Sequence, residues 1–132
     1  MNRSCDMDTA RVIWLWGPAL AVMVAIFCIS SMSSPPRLSD VPDVSAHVVA
    51  YAALGISLLR GFADAQWDRV TLRSTLLAVA FAVLYGLTDE LHQWFVPGRT
   101  PELRDLIADS CGAGFASGLI WAWSIVLANR EK

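Results

Sequence analysis

The side chains best suited to proton transfer or ligand binding fall in three short stretches. The first holds His47 and Tyr51, the second Asp89, Glu90, His92 and Gln93, and the third Asp105 and Asp109. On a helix, positions i, i+3 and i+4 share a face. Asp89, His92 and Gln93 are therefore expected together, as are Asp105 with Asp109, and His47 with Tyr51 and Gly55 one turn further along. Glu90 is rotated by about 100° from Asp89 and is left to a neighbouring helix or to lipid headgroups. Arg99 and Arg104 are the nearby cations. Candidates for general acid and base are Asp89, Glu90, His92 and His47. Candidates for holding a ligand are His47, Tyr51, Asp89, Glu90, Gln93, Arg99, Asp105 and Asp109.

Other chemistries lack their signatures. The string around His92 is not HExxH, so no zincin motif is present. A metal set of Asp89, His92, His47 and Asp109 is geometrically conceivable, but nothing fixes four ligands, and neither a metal nor a cofactor is assigned. No Ser-x-x-Lys, GxSxG or phosphate-cradling loop occurs. Cys5, Cys28 and Cys111 are an odd number without CxxC spacing; no disulfide framework follows. Cys28 and Cys111 lie in apolar runs and are expected as buried small hydrophobes.

The elements that must position these groups follow from composition. The chain has 132 residues, 55% of them apolar and 17% charged, with mean hydropathy +0.48. Soluble domains are about a quarter charged, so this balance argues against a soluble enzyme or a disordered chain. A net charge of −2 and a pI near 5.5 leave no basic footprint for nucleic acid. Four apolar runs, at about 12–31, 43–62, 70–95 and 103–128, are each long enough to span a bilayer. The first contains Gly17-Pro18, which membrane helices tolerate; it is too long for a typical signal-peptide core, and more spans follow it. Asp43 is the expected N-cap of the second, Arg60 can snorkel at its far end, and Pro97-Gly98 should stop the third. The reading is an all-α membrane protein, a single domain over 1–132, with four transmembrane helices in a compact bundle.

The distribution of Lys and Arg orients the bundle. Arg3, Arg11, Arg60, Arg69, Arg73, Arg130 and Lys132 fall on one side, against Arg37, Arg99 and Arg104 on the other. Both termini are expected in the cytoplasm, with loops 32–42 and 96–102 outward. His47, the 89–93 group, Asp105 and Asp109 then lie at similar depth in the outer leaflet. That outer half holds seven acids (Asp40, Asp43, Asp89, Glu90, Glu102, Asp105 and Asp109) against three arginines. Such an excess in a poorly hydrated pocket requires protonated carboxylates, charged histidines, or a cation or cationic ligand. Ala108, Gly112 and Ala116, and likewise Ser110, Gly114 and Gly118, repeat every four residues and suit close helix approach. Trp94, Phe95, Trp121 and Trp123 are expected in interfacial belts.

The stretch Tyr85-Gly-Leu-Thr-Asp-Glu-Leu-His-Gln-Trp-Phe-Val-Pro-Gly-Arg99, with Asp105 and Gly112 after it, resembles the signature of the VanZ-like family. These are small multi-pass bacterial membrane proteins named for a teicoplanin-resistance determinant. The segment from Pro42 to Gly55, with Asp43, His47, Tyr51 and Leu54-Gly55, resembles the family's second motif. The likeness covers about residues 40 to 118. Val44 stands where the family often has Lys, and Asp109 where it tends to have Asn, which makes this pocket more negative than the pattern.

The resemblance implies a multi-pass protein of the bacterial inner membrane, with a role in cell-envelope physiology or glycopeptide resistance. Expected partners are membrane lipids and a cell-wall precursor or glycopeptide ligand, with no nucleic acid; a homo-oligomer stays open. A non-catalytic binding role is preferred because no recognisable nucleophile or metal set is present. An intramembrane acid/base enzyme acting on a lipid-linked or peptidoglycan-related substrate, and a small proton-coupled transporter, are the alternatives.

Overall fold

Apolar segments of this length satisfy their backbone groups in a bilayer by closing i to i−4 hydrogen bonds, so each becomes a helix. The computed structural model describes the backbone over residues 3–34 and 43–130, and side chains over 8–34 and 44–130. It contains α1 (Arg3–Ser30), α2 (Asp43–Phe62), α3 (Leu72–Gln93) and α4 (Leu103–Arg130), with a 3-10 turn at Trp67–Arg69. All four helices are long and apolar enough to cross a membrane. The expected spans hold, with two adjustments. α1 begins before the apolar run, and α3 ends at Gln93, ahead of Pro97-Gly98. The chain leaves α3 through tight turns in which Phe95 N–H donates to the His92 carbonyl and Val96 N–H to that of Gln93. Gly98 then adopts φ +83°, the left-handed region open to glycine. Asp43 opens α2, but its side chain, like Cys5, Arg37 and Asp40, lies outside the described residues.

α2 is the central helix, packed against α4, α1 and α3 in turn. The core is built from Tyr51, Leu54, Leu58 and Leu59 of α2 with Ala78 and Ala82 of α3, Ala113 of α4, and Ala19 and Ile26 of α1. Large apolar residues such as Leu76, Phe81, Leu84, Phe115 and Leu119 point outward, while Asp89, Glu90, Gln93, Asp109 and Ser117 are buried. This inverts the soluble pattern. In lipid, apolar burial between helices gains little, and close packing of small residues does the work. A Cβ on Gly112 would lie 2.3 Å from the Val48 carbonyl oxygen, and one on Gly55 would lie 3.0 Å from Ala113 Cα, so α2 and α4 meet backbone to backbone.

Of the two small-residue repeats, only the one through Ala108 and Gly112 is used this way. Gly114 and Gly118 have nothing within reach of a Cβ. Cys28 and Cys111 are exposed on the bundle's outer surface; both project from helix faces that no other helix covers, which corrects their expected burial. Trp94, Phe95 and Trp123 are exposed as belt residues would be, whereas Trp121 is half-buried against the core.

At one end of the bundle, where α1 and α4 pass the turn between α2 and α3, polar groups close on each other. Pro18 lies inside α1 and has no N–H, so the Trp14 carbonyl four residues earlier loses its helical donor. Arg60 supplies the replacement. Its Nη1 donates to the Trp14 and Leu15 carbonyls, and its guanidinium lies 4.0 Å from the Trp14 ring centroid. Arg60 thus reaches into α1 instead of snorkelling to water. Thr71 and Ser74 form a reciprocal cap at the start of α3, and Ser124 Oγ donates to the Val70 carbonyl.

Candidate functional site

The opposite end gathers the last turn of α1, the first turns of α2 and α4, and the last turns of α3. His47, one turn into α2, reaches α4: its Nδ1 is 2.9 Å from Asp109 Oδ1 and its Nε2 is 3.7 Å from Asp105 Oδ2. The i, i+4 spacing of the two aspartates delivers both to the same imidazole. Glu90 of α3 turns toward the start of α4, where the Glu102 N–H donates to its Oε2 at 2.9 Å. The unpaired N–H groups of a helix start favour a carboxylate there. Glu90 is therefore buried between α3 and α4 and does not face lipid headgroups.

Asp89 points the other way, into the bundle toward α1 and α2, and Gln93 Nε2 donates to its Oδ2 at 3.1 Å. Beside them lies a pocket of about 130 Å³ whose walls include Ser30, His47, Tyr51, Asp89, Gln93 and Arg99. Its volume holds several waters or a small polar group. Gly86 makes the neighbouring space: a Cβ there would lie 3.2 Å from Asp109 Oδ2 and 3.3 Å from the Tyr51 ring. Three groups on the pocket, Ser30 Oγ, Tyr51 OH and Arg99 Nε, are buried without a hydrogen-bond partner. So are Glu90 Oε1 and Asp109 Oδ2 in the adjacent carboxylate cluster.

Seven of the expected residues thus come together: His47, Tyr51, Asp89, Glu90, Gln93, Asp105 and Asp109. Arg99 joins the pocket wall, its Nη2 donating to the Ile29 carbonyl at 3.3 Å. Arg104 is exposed. His92 does not join. Its Nε2 is 2.9 Å from Ser31 Oγ and its ring lies 4.6 Å from that of Phe27, so it faces α1. The conceivable metal set containing Asp89 and His92 is therefore not assembled. Instead His47, Glu90 and Asp109 each present a ligand atom, all within 4.8 Å of one another.

Ser30 was not among the expected site residues. The serines ending α1 read as the tail of a span, and only the fold brings that wall to the pocket.

A family model described as VanZ/LLP1 matches residues 44–126, which take in His47, Tyr51, Asp89, Glu90, Gln93, Arg99, Asp105 and Asp109 but not the pocket wall that α1 supplies. No curated protein and no solved structure matches the chain.

Proposed function

Because the chain belongs to the VanZ/LLP1 family, we propose that it is a multi-pass protein of the bacterial inner membrane whose polar pocket opens outward and binds the small polar headgroup of a lipid-linked partner. Through that binding it acts in cell-envelope physiology, including susceptibility to teicoplanin-type glycopeptides. The Lys/Arg distribution supports the orientation, with Arg60, Arg69 and Arg73 on the cytoplasmic side and loop 96–102 outside.

One observation carries the binding role. Ser30 Oγ, Tyr51 OH and Arg99 Nε are buried without partners around one cavity. An unpaired buried polar atom costs about 1–3 kcal/mol, and a ligand with several acceptors and donors recovers that cost at three points at once. The pocket's 130 Å³ suits a headgroup fragment and is too small for a whole glycopeptide. On this reading resistance follows from engaging a membrane-borne partner, not from sequestering the drug.

The hydrogen bond between His47 and Asp109 favours a second reading, in which the pair moves a proton on the bound headgroup.

The test is a deletion strain complemented with the wild type, with His47→Asn, and with Asp89→Asn and Glu90→Gln together. Glycopeptide susceptibility and membrane protein level are scored in parallel. The variants are expected to accumulate normally and fail to restore the phenotype; full restoration by the double variant overturns the proposal. Mass spectrometry of lipids and glycans separates the two readings, since only turnover leaves a modified species. Reporter fusions at residues 66 and 98 are expected to read inside and outside, respectively.

A further inference from the structure

We infer that His47, Glu90 and Asp109 form a binding site for a divalent transition-metal ion, bridging α2, α3 and α4 beside the pocket. Three ligand atoms, one from each side chain, lie within 4.8 Å of one another. A first-row divalent ion about 2.0–2.2 Å from each ligand holds its ligand atoms roughly 3–3.5 Å apart.

The independent observation is the pair of orphaned oxygens. Glu90 is 7% exposed and Asp109 is 0% exposed, yet Glu90 Oε1 and Asp109 Oδ2 have no hydrogen-bond partner. Their sister oxygens are held by the Glu102 N–H and by His47. Glu90 is thus oriented through one oxygen by a backbone N–H and left open at the other, as a metal ligand is when an outer hydrogen bond fixes it, and Asp109 Oδ2 is open in the same way.

Protonating His47 would not supply a partner for either orphaned oxygen. Nor do the arginines: among the described residues, Glu90, Asp105 and Asp109 have no Lys or Arg ion-pair partner. A divalent ion offsets two of these three charges and partners both free oxygens. The imidazole nitrogen among the carboxylate oxygens favours an ion such as Zn²⁺ over Ca²⁺ and Mg²⁺.

Zn²⁺ is the probe. The full chain, purified in detergent, is stripped with a chelator, loaded with Zn²⁺ in excess Mg²⁺ and desalted, and bound zinc is counted by elemental mass spectrometry. One ion per chain is expected. Glu90→Gln and the near-isosteric Asp109→Asn should each weaken zinc binding by about tenfold or more. His92→Ala, which removes the chain's other imidazole, should leave the count unchanged. Helicity and elution volume report whether each variant folds; where a variant does not, the wild-type count alone decides. A wild-type count near zero overturns the site, and so does a full count in a folded Glu90→Gln, Asp109→Asn double variant. Zinc uptake is read without any headgroup ligand or phenotype, so its failure is distinct from failure of the proposed binding role.

Discussion

At the end of the bundle where Arg60 meets α1, the polar groups answer one another. The Trp14 carbonyl accepts from Arg60, Ser124 donates to Val70, and Thr71 and Ser74 cap each other. At the other end, Ser30, Tyr51, Glu90, Arg99 and Asp109 each leave an atom without a partner, and one further such atom, Ser117 Oγ, lies midway along α4 against α2. The same four helices build both ends, so the contrast is not a matter of poor packing. Where Arg60 and the α3 cap hold helices together, the polar groups are closed. At the open end, the proposed ligand is what would supply the missing partners. Strain of this kind collects at functional sites.

Substitutions can break or sharpen that contrast. The largest effect is expected from Gly112→Leu, where α4 meets α2 beside the open end. A Cβ alone there would meet the Val48 carbonyl oxygen at 2.3 Å, so α2 and α4 must separate. Quantified membrane fractions should show protein falling to a small part of the wild-type level, and an unchanged level would mean that backbone contact does not hold this bundle. Next is Arg60→Met at the closed end, which strands the Trp14 carbonyl. A loss of about 1–3 kcal/mol, read as a lower Tm in detergent, should come with an intact phenotype. A lost phenotype at normal protein level would erase the division of labour between the ends.

Tyr51→Phe at the open end should act with the opposite sign. Removing a hydroxyl that has no partner is expected to leave the unliganded protein as stable or up to about 1 kcal/mol more stable, while function weakens. A clear loss of Tm would show that the hydroxyl is already satisfied. Smallest is Arg11→Ala. Its ion pair with Asp64 is exposed on both sides, so the change should stay under about 1 kcal/mol, within the scatter of thermal melts.

Much of the architecture was readable from apolar run lengths, because a bilayer demands them. α2 begins at Asp43 and ends at Phe62, as its polar start and the following turn imply. The site was readable where i, i+4 spacing governs: His47 with Tyr51, Asp89 with Gln93, and Asp105 with Asp109 all share a face. It failed at i, i+3. His92 lies about 60° to one side of Asp89 around the helix, and Gln93 about 40° to the other. That difference carries Gln93 into the pocket and His92 out to α1. The small-residue repeats could not be told apart without knowing which face α2 would cover, and the exposure of Cys28 and Cys111 depends on the same choice. Ser30 is invisible for a further reason: nothing in an isolated span says that its last turn will wall a cavity built by two other helices.

Pro18 makes α1 a span that cannot be completed from its own sequence. Until the second helix has been threaded into the membrane, the Trp14 carbonyl has no local donor and must find one in lipid or water. α1, made before α2, is thus left with an open peptide group that only the later helix can close. Completion of α1 and docking of α2 are thereby tied together, with the Arg60 guanidinium acting as the latch.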